Sequence, residues 1–508
     1  MRFYIIPSLY ISVIMLLLPL CGASQSHNYW SRSFNEESSL LSGAVVGGGA
    51  GPSAIFYNPA SISEITMSKF SLHASLFSFD VFSSKNALGT GIDLNSSTLT
   101  IQPRFLSYMI KPKKHPEWSF EVAILNNENY QVDLMKNVDY TADILLNLPG
   151  QERYYALMQY MNHYRDDWVG VGGSWKINEN FYIGASMFVS VRSLEYRFVI
   201  DIESFPIGDS IVMNGEIVPF YSANYQFEEY LKFSNYRLLG KAGMMYRKNN
   251  LSLGLALTTP SVGVYSDGKK VARKLKQSNI TNPASGEPIP DYVIADYKEK
   301  NDVQADLKNP FSYAIGVTYA FPERNTTFYY TMEYFNELDP YRMVEASESS
   351  TIAGGSVLEN IDFNNWLSFT SGARPVFNIA IGNRSELREN LMLMTGFRTD
   401  FNYRKDIEHP SFNVDHNIRS LDIDIYHLSG GLTLNILGQD LIAGLQYSFG
   451  LSKNQTQIIN LTDPVEYNFE EQAALQGTRQ NNMKSIHNSV SLYFGATFNF
   501  GGDKKEKP

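Results

Sequence analysis

Cysteine is nearly absent from this chain of 508 residues, with Cys21 the single example. That excludes a scaffold stapled by disulfides and any cysteine-based metal or redox centre. Basic charge is not in excess either: 42 Lys and Arg stand against 52 Asp and Glu, which speaks against a nucleic-acid-binding face. Histidine is sparse at 8 residues, with no His-x-x-x-His pair and no Gly-x-Ser-x-Gly elbow, so the chain is read as a non-enzyme without metal or cofactor. After the first twenty or so residues there is no long apolar run, and mean hydropathy is slightly negative at −0.22, so a helical membrane protein is excluded.

The one long apolar run lies at the N-terminus. Arg2 supplies a positive start, residues 11–20 an apolar middle, and Gly22, Ala23 and Ser24 a small-residue cleavage site. Residues 1–24 therefore read as a secretory signal peptide cut before Gln25. Leu18-Pro19-Leu20-Cys21 is a poor lipoprotein box, because Leu stands where a small residue is needed before the cysteine.

What is present in quantity is aromatic side chains, 32 Tyr and 31 Phe, and alternation with period two. In residues 440–452, Leu441, Ala443, Leu445, Tyr447, Phe449 and Leu451 share one face, opposite Ile442, Gly444, Gln446, Ser448 and Gly450. Residues 251–258, 311–321 and 490–500 repeat the pattern. Aromatic and branched residues suit a lipid-facing surface, and glycine and small polar residues suit a lumen. Fourteen strand-like runs follow between residues 68 and 501, joined alternately by tight connections (as at 178–179, 248–249 and 387–388) and long ones (as at 127–166, 265–302 and 454–486). Short turns at one end and long loops at the other predict a transmembrane antiparallel β-barrel of about fourteen strands, with both termini on the periplasmic side of a bacterial outer membrane. Residues 502–508 form a polar periplasmic tail.

Residues 25–67 differ from the rest. They hold the run Gly43-Ala44-Val45-Val46-Gly47-Gly48-Gly49-Ala50-Gly51, then Ala54-Ile55-Phe56-Tyr57-Asn58-Pro59-Ala60. No Lys-Ser or Lys-Thr follows the glycines, which excludes a phosphate loop. The small-residue run, the Phe56-Tyr57 pair and Asn58-Pro59-Ala60 just before the first strand resemble the N-terminal hatch of the long-chain fatty acid transporter (FadL-type) family of outer-membrane proteins. The Leu253-to-Pro260 stretch is similar to a mid-barrel strand of that family. Two departures stand out: Gly51-Pro52-Ser53 replaces an acidic residue before the aromatic pair, and Ser61 replaces the glycine after Asn-Pro-Ala.

The resemblance implies a fourteen-stranded barrel plugged by the hatch, and passive uptake of a hydrophobic small molecule, a long-chain fatty acid or similar, by a monomer set in lipid and lipopolysaccharide. Asn58, Pro59, Ala60, Phe56 and Tyr57 would gate it. Leu157, Tyr160, Met161 and Tyr164 fall at helical spacing within the loop 127–166 and are expected to form an extracellular capture groove. Asn126 and Asn127 mark a strand bend, and Lys269, Lys270, Arg273, Lys274 and Lys276 crowd the loop 265–302. The alternative function is a barrel of the same type acting as a scaffold for partner proteins in export or surface attachment.

Overall fold

The computed structural model describes residues 27–30, 33–148, 150–208, 211–213, 215–218, 221–346, 352–354, 366–405, 417–420, 422–436 and 439–499. The expected signal peptide, Cys21 and the C-terminal tail lie outside them. The β-rich composition and period-two patterning produce fourteen antiparallel staves. They are β1 (Lys69–Lys85), β2 (Leu94–Ile110), β3 (Trp118–Ala142), β4 (Glu152–Lys176), β5 (Phe181–Pro206), β6 (Ala223–Lys248) and β7 (Leu251–Thr258). They continue as β8 (Ser312–Phe321), β9 (Thr326–Phe335), β10 (Val376–Arg388), β11 (Leu391–Asp400), β12 (Ile425–Ile436), β13 (Gln439–Gln455) and β14 (Met483–Asn499). Each pairs with the next in the chain, and β1 pairs with β14 from Lys69↔Asn499 to Lys85↔Lys484. The order of pairings thus returns to its start as a ring, the closure that a sheet in lipid needs.

The tight connections gather at one end. At the β6–β7 turn Asn249 adopts φ 51°, and before β9 Asn325 adopts φ 47°, a left-handed conformation that asparagine tolerates better than most side chains. Around this end the outer surface carries aromatic rings. Trp118 and Trp175 stack at 5.6 Å, and Phe321 meets Tyr319 at 4.6 Å and Phe328 at 5.7 Å. Above them the exposed side chains are aliphatic or aromatic, as in Val122 and Ile124 of β3 and Val169 and Val171 of β4, until Arg165 and Asp167 end the band. An apolar belt with an aromatic girdle is what contact with hydrocarbon requires.

Several staves are far longer than the roughly 9–11 residues that cross a bilayer. β3 and β4 have 25 residues, and β5 and β6 have 26. The expected loop 127–166 is therefore two strands joined by residues 143–151, and no helix forms at 154–164. Tyr154, Ala156, Met158, Tyr160, Asn162 and Tyr164 all face inward in that hairpin, so its true period is two. The basic cluster is likewise not in a loop. It lies on a strand, Val262–Ser278, which continues β7 beyond Thr259-Pro260-Ser261 and pairs with β6 and with Tyr292–Glu299. Arg273 points into the barrel, where its Nη2 meets the buried Glu229 Oε1 at 2.9 Å; burial pulls its guanidinium below the ordinary value and Glu229 opposes the shift.

The projecting half is filled by a single apolar cluster that includes Phe82, Leu134, Tyr154, Phe198, Phe227 and Trp366. The half with tight turns is filled by residues 27–30 and 33–67. Phe34, Leu40, Leu41, Val45, Ala54 and Ile55 of that segment pack with Phe105, Trp168, Phe188 and Ile442 of the wall. Among the described residues no helix is long and apolar enough to cross a membrane.

Candidate functional site: the hatch and the cavities above it

The hatch segment begins with a one-turn helix, Glu36–Leu40, capped reciprocally: Asn35 Oδ1 accepts from Ser38 N (3.1 Å) and Ser38 Oγ accepts from Asn35 N (3.3 Å). Glycines and alanines carry the chain to a second short helix, Ala54–Tyr57, and a 3₁₀ turn, Pro59–Glu64. Asn58 stands between these two and binds in three directions. Its Nδ2 donates to Val46 O (2.8 Å) and to Met244 O of β6 (3.2 Å), and its Oδ1 accepts from Ala60 N (3.1 Å). Pro59 at the start of the turn gives up no needed N–H.

The hatch touches the wall backbone to backbone, at a girdle of inward-facing glycines. A Cβ on Gly254 would lie 1.9 Å from Val46 O, one on Gly316 2.1 Å from Gly47 N, and one on Gly184 2.4 Å from Pro59 O. A Cβ on Gly243 would meet Asn58 Oδ1 at 2.1 Å. Gly184 pairs with Gly243, and Gly254 with Gly316. The paired Gly382 and Gly396 admit Leu41, and the paired Gly431 and Gly444 admit Leu40. Polar contacts complete the seat: Ser186 Oγ donates to Ile55 O (2.9 Å), Ser429 Oγ to Leu40 O (2.8 Å), and Arg247 pairs with Glu64.

Three cavities stand above this floor. The inner one, about 80 Å³, is bounded by Phe34, Phe56, Tyr57, Trp168, Lys241 and Glu333. Phe56 packs on Phe34 at 4.2 Å and on Trp168 at 5.5 Å. Trp30 Nε1 donates to Glu333 Oε2 (2.7 Å), and Ser312 Oγ to Glu333 Oε1 (2.6 Å). The middle cavity, about 100 Å³, is bounded by the rings of Tyr29, Tyr130, Tyr164, Tyr341 and Tyr403 and by the buried pair Arg192–Asp166. The outer one, about 370 Å³, is bounded by Val132, Met158, Tyr160, Phe198 and Arg419 among others. Arg404 and Ser420 border both the outer and middle cavities, and Tyr29, Asn127 and Asn309 border both the middle and inner ones. The three form one file from the projecting end to the hatch.

The wall is split beside that file. The β2–β3 ladder ends at Phe105↔Leu125. Immediately above, β3 bulges: Asn126 faces Asp167 and Glu128 faces Asp166, leaving Asn127 as the extra residue. Asn126 Nδ2 donates to Asp167 Oδ1 (2.8 Å) and Asn127 Nδ2 to Asp166 Oδ2 (3.1 Å).

The structure therefore brings Phe56, Tyr57, Asn58, Pro59 and Ala60 together at the hatch, with Asn127 at the cavities. It divides the four groove residues. Tyr160 and Tyr164 face inward and border cavities, whereas Leu157 and Met161 point outward, because strand geometry sends neighbours to opposite faces. Sequence reasoning missed Lys241, Glu333, Arg192 and Asp166. Their signal was a charged residue on the inward face of an alternating strand.

No protein-family model matches the chain, and no curated protein sequence matches it. Solved structures do. The Pseudomonas putida toluene transporter TodX aligns over 92 % of this chain and 99 % of its own, with TM-score 0.54 at 13 % identity. A Pseudomonas aeruginosa FadL homologue aligns over 93 % of this chain and 100 % of its own, with TM-score 0.52 at 12 % identity. The chain has the FadL fold. At such identities the likeness is one of architecture: a fourteen-stave barrel of the FadL type, with the hatch segment seated in its lumen.

Proposed function

We propose that the protein is an outer-membrane channel for passive uptake of hydrophobic or amphiphilic small molecules. The carrying observation is the file of three cavities ending on a hatch that meets the wall through glycine backbone. Ligand would be captured in the outer cavity, pass the tyrosine-lined middle and rest on Phe56 and Tyr57. It would leave sideways through the β2–β3 split at Asn127, into the membrane, where an apolar molecule is already at low free energy. Asn58 would hold the hatch shut. No covalent chemistry is required. TodX, a toluene transporter, shares the architecture and supports the choice of ligand class.

In this reading the short turns face the periplasm, the projecting half faces outside among lipopolysaccharide, residues 1–24 direct export, residues 502–508 trail into the periplasm, and the barrel works as a monomer. The test is expression in a Gram-negative host deleted for its own channel of this kind. Uptake of radiolabelled hexadecanoate or toluene by intact cells should rise severalfold above the empty host. Uptake equal to the empty host, with the barrel folded in the outer membrane, would overturn the reading. A scaffold draws on the same packed outer half, and partner capture without any uptake would favour it.

A further inference from the structure

On β3 to β6, charge on the outer surface above the apolar band is matched. Arg165 meets Asp167 at 2.5 Å and His163 meets Asp133 at 2.9 Å. Lys232 meets Glu195 at 2.6 Å and Arg197 meets Glu228 at 3.0 Å.

The staves that close the ring differ. On β13 the outward residues Leu441, Ala443, Leu445, Tyr447, Phe449 and Leu451 carry no charge, and they cover the roughly 9–11 residues that cross a bilayer. The next outward residue is Lys453. Its neighbour on β14 is Lys484, since Ser452 pairs with Ser485. Lys484 pairs in turn with Lys85 of β1. Ser84 Oγ and Ser485 Oγ meet at 2.9 Å inside the barrel, so Lys85 and Lys484, one position on, face outward. Three lysines thus stand side by side on three adjoining staves, at the level where the apolar band ends.

Among the described residues, none of the three ammonium groups has an ion pair or a hydrogen bond. The carboxylates that neighbouring staves bring toward the row are engaged elsewhere. Asp93, beside the last paired residue of β2, accepts from Asn86 N (2.8 Å). Asp422 and Asp424, before β12, lie 3.2 and 3.9 Å from Arg374. Like charges directly opposite on a ladder repel, so the row costs stability as it stands. A phosphate set among the three ammonium groups would replace that repulsion with charge-assisted hydrogen bonds.

The surroundings select among phosphates. Directly toward the membrane lie Leu451, Ile486, Val81 and Phe79, with Phe449 stacked on Tyr426 (5.4 Å) and Tyr447 (5.9 Å). A free phosphate gains nothing from that surface, whereas the acyl chains of a phosphorylated lipid would lie along it. Beside the row, Asn95 and Asn454 are exposed and offer amides to sugar hydroxyls.

We infer that Lys85, Lys453 and Lys484 form a site on the outside of the barrel for a phosphate of the outer-leaflet glycolipid, the lipid A part of lipopolysaccharide. The site lies on the lipid-facing surface, away from the ligand's passage. The inference rests on the orientation given above, in which the projecting half faces outside, and turns a general lipid surrounding into a specific contact.

The test is titration of fluorescently tagged lipid A into the barrel refolded in neutral detergent, and so free of host lipopolysaccharide. Lipid A with both phosphates should bind at least tenfold more tightly than lipid A stripped of them. The triple variant Lys85→Gln, Lys453→Gln, Lys484→Gln should lose that preference, and the triple exchange to Arg should keep it. Lys113→Gln, Lys114→Gln, Lys248→Gln at the tight-turn end should leave affinity within twofold of the parent. Heat-modifiable migration on a gel confirms that each variant is folded. A preference that survives the triple Gln variant overturns the site. Equal binding of phosphatidylglycerol, or displacement by inorganic phosphate as effective as by lipid A, overturns the glycolipid as its occupant. Failure to bind lipid A by a barrel that supports hexadecanoate or toluene uptake in cells defeats this inference alone; lipid A binding by a barrel without uptake supports it and defeats the channel.

Discussion

Gly254 exists as glycine because Val46 O occupies the place of its Cβ, only 1.9 Å away. Both partners are backbone, so neither can rotate aside. Gly254→Val should lift the hatch or bend β7, at the 1–3 kcal/mol typical of overpacking. The expected readout is a larger single-channel conductance in planar bilayers. Gly240→Ala is the control: its Cβ would meet nothing nearer than Thr259 Cγ2 at 3.7 Å, and conductance should stay at the parent level. Asn58 acts on the same seat by hydrogen bonds. Asn58→Ala leaves Val46 O and Met244 O without their amide donor, at about 1–3 kcal/mol for a buried group left unsatisfied. Ligand uptake should fall with barrel assembly, followed by heat-modifiable migration, unchanged; uptake at the parent rate would remove Asn58 from the gate.

At the scale of elements, alternation made most staves legible, and one apolar hairpin concealed itself. In Tyr154-Tyr155-Ala156-Leu157-Met158 both faces are apolar, so a helical spacing can be traced through residues that in fact alternate. The inward face packs under the outer cluster, and the outward face is half-exposed beside His163 and Arg165. Leu157 and Met161 were thus read onto a groove that strand geometry divides. The bulge at Asn127 is the other element-scale feature, and only the pairing with β4 reveals that one residue is extra there. Deleting Asn127 should let β3 run straight and close toward β2. Uptake by cells should then drop severalfold while the barrel still folds. Undiminished uptake would rule out the β2–β3 split as the exit.

For the whole molecule, the diameter of the ring sets the need for a plug. A barrel of about eight strands can be filled by side chains alone, and a wider one cannot. Here fourteen staves enclose a hatch below and a packed cluster above. Deleting residues 27–55 removes the lower filling, including Phe34, Leu40, Leu41 and Val45. Single-channel conductance should rise severalfold and small hydrophilic solutes should pass; conductance equal to the parent would mean that the upper cluster alone seals the lumen. The orientation follows from labelling of single cysteines in intact cells. Positions near 145, 280 and 470 should react with an impermeant reagent, and those near 113, 248 and 323 should not. The reverse pattern would invert the topology.

The sequence alone determined the class of the molecule. Period two over many short runs admits only strands, and alternation of tight and long connections orders them as an up-and-down ring. A glycine-rich segment ending in Phe56-Tyr57-Asn58-Pro59-Ala60 before β1 stood apart from the strands by its composition, and its resemblance to the FadL-type hatch gave it a role. Tertiary structure decided what each inward residue does. Gly184, Gly243, Gly254 and Gly316 could be read as lumen-facing, but which part of the hatch presses on them depends on contacts between residues more than a hundred positions apart. Lys241 and Glu333 share a cavity because two non-adjacent staves curve around the same hatch. Alternation fixes the face on which a side chain lies and nothing about its neighbour across the lumen, which closure of the ring alone supplies.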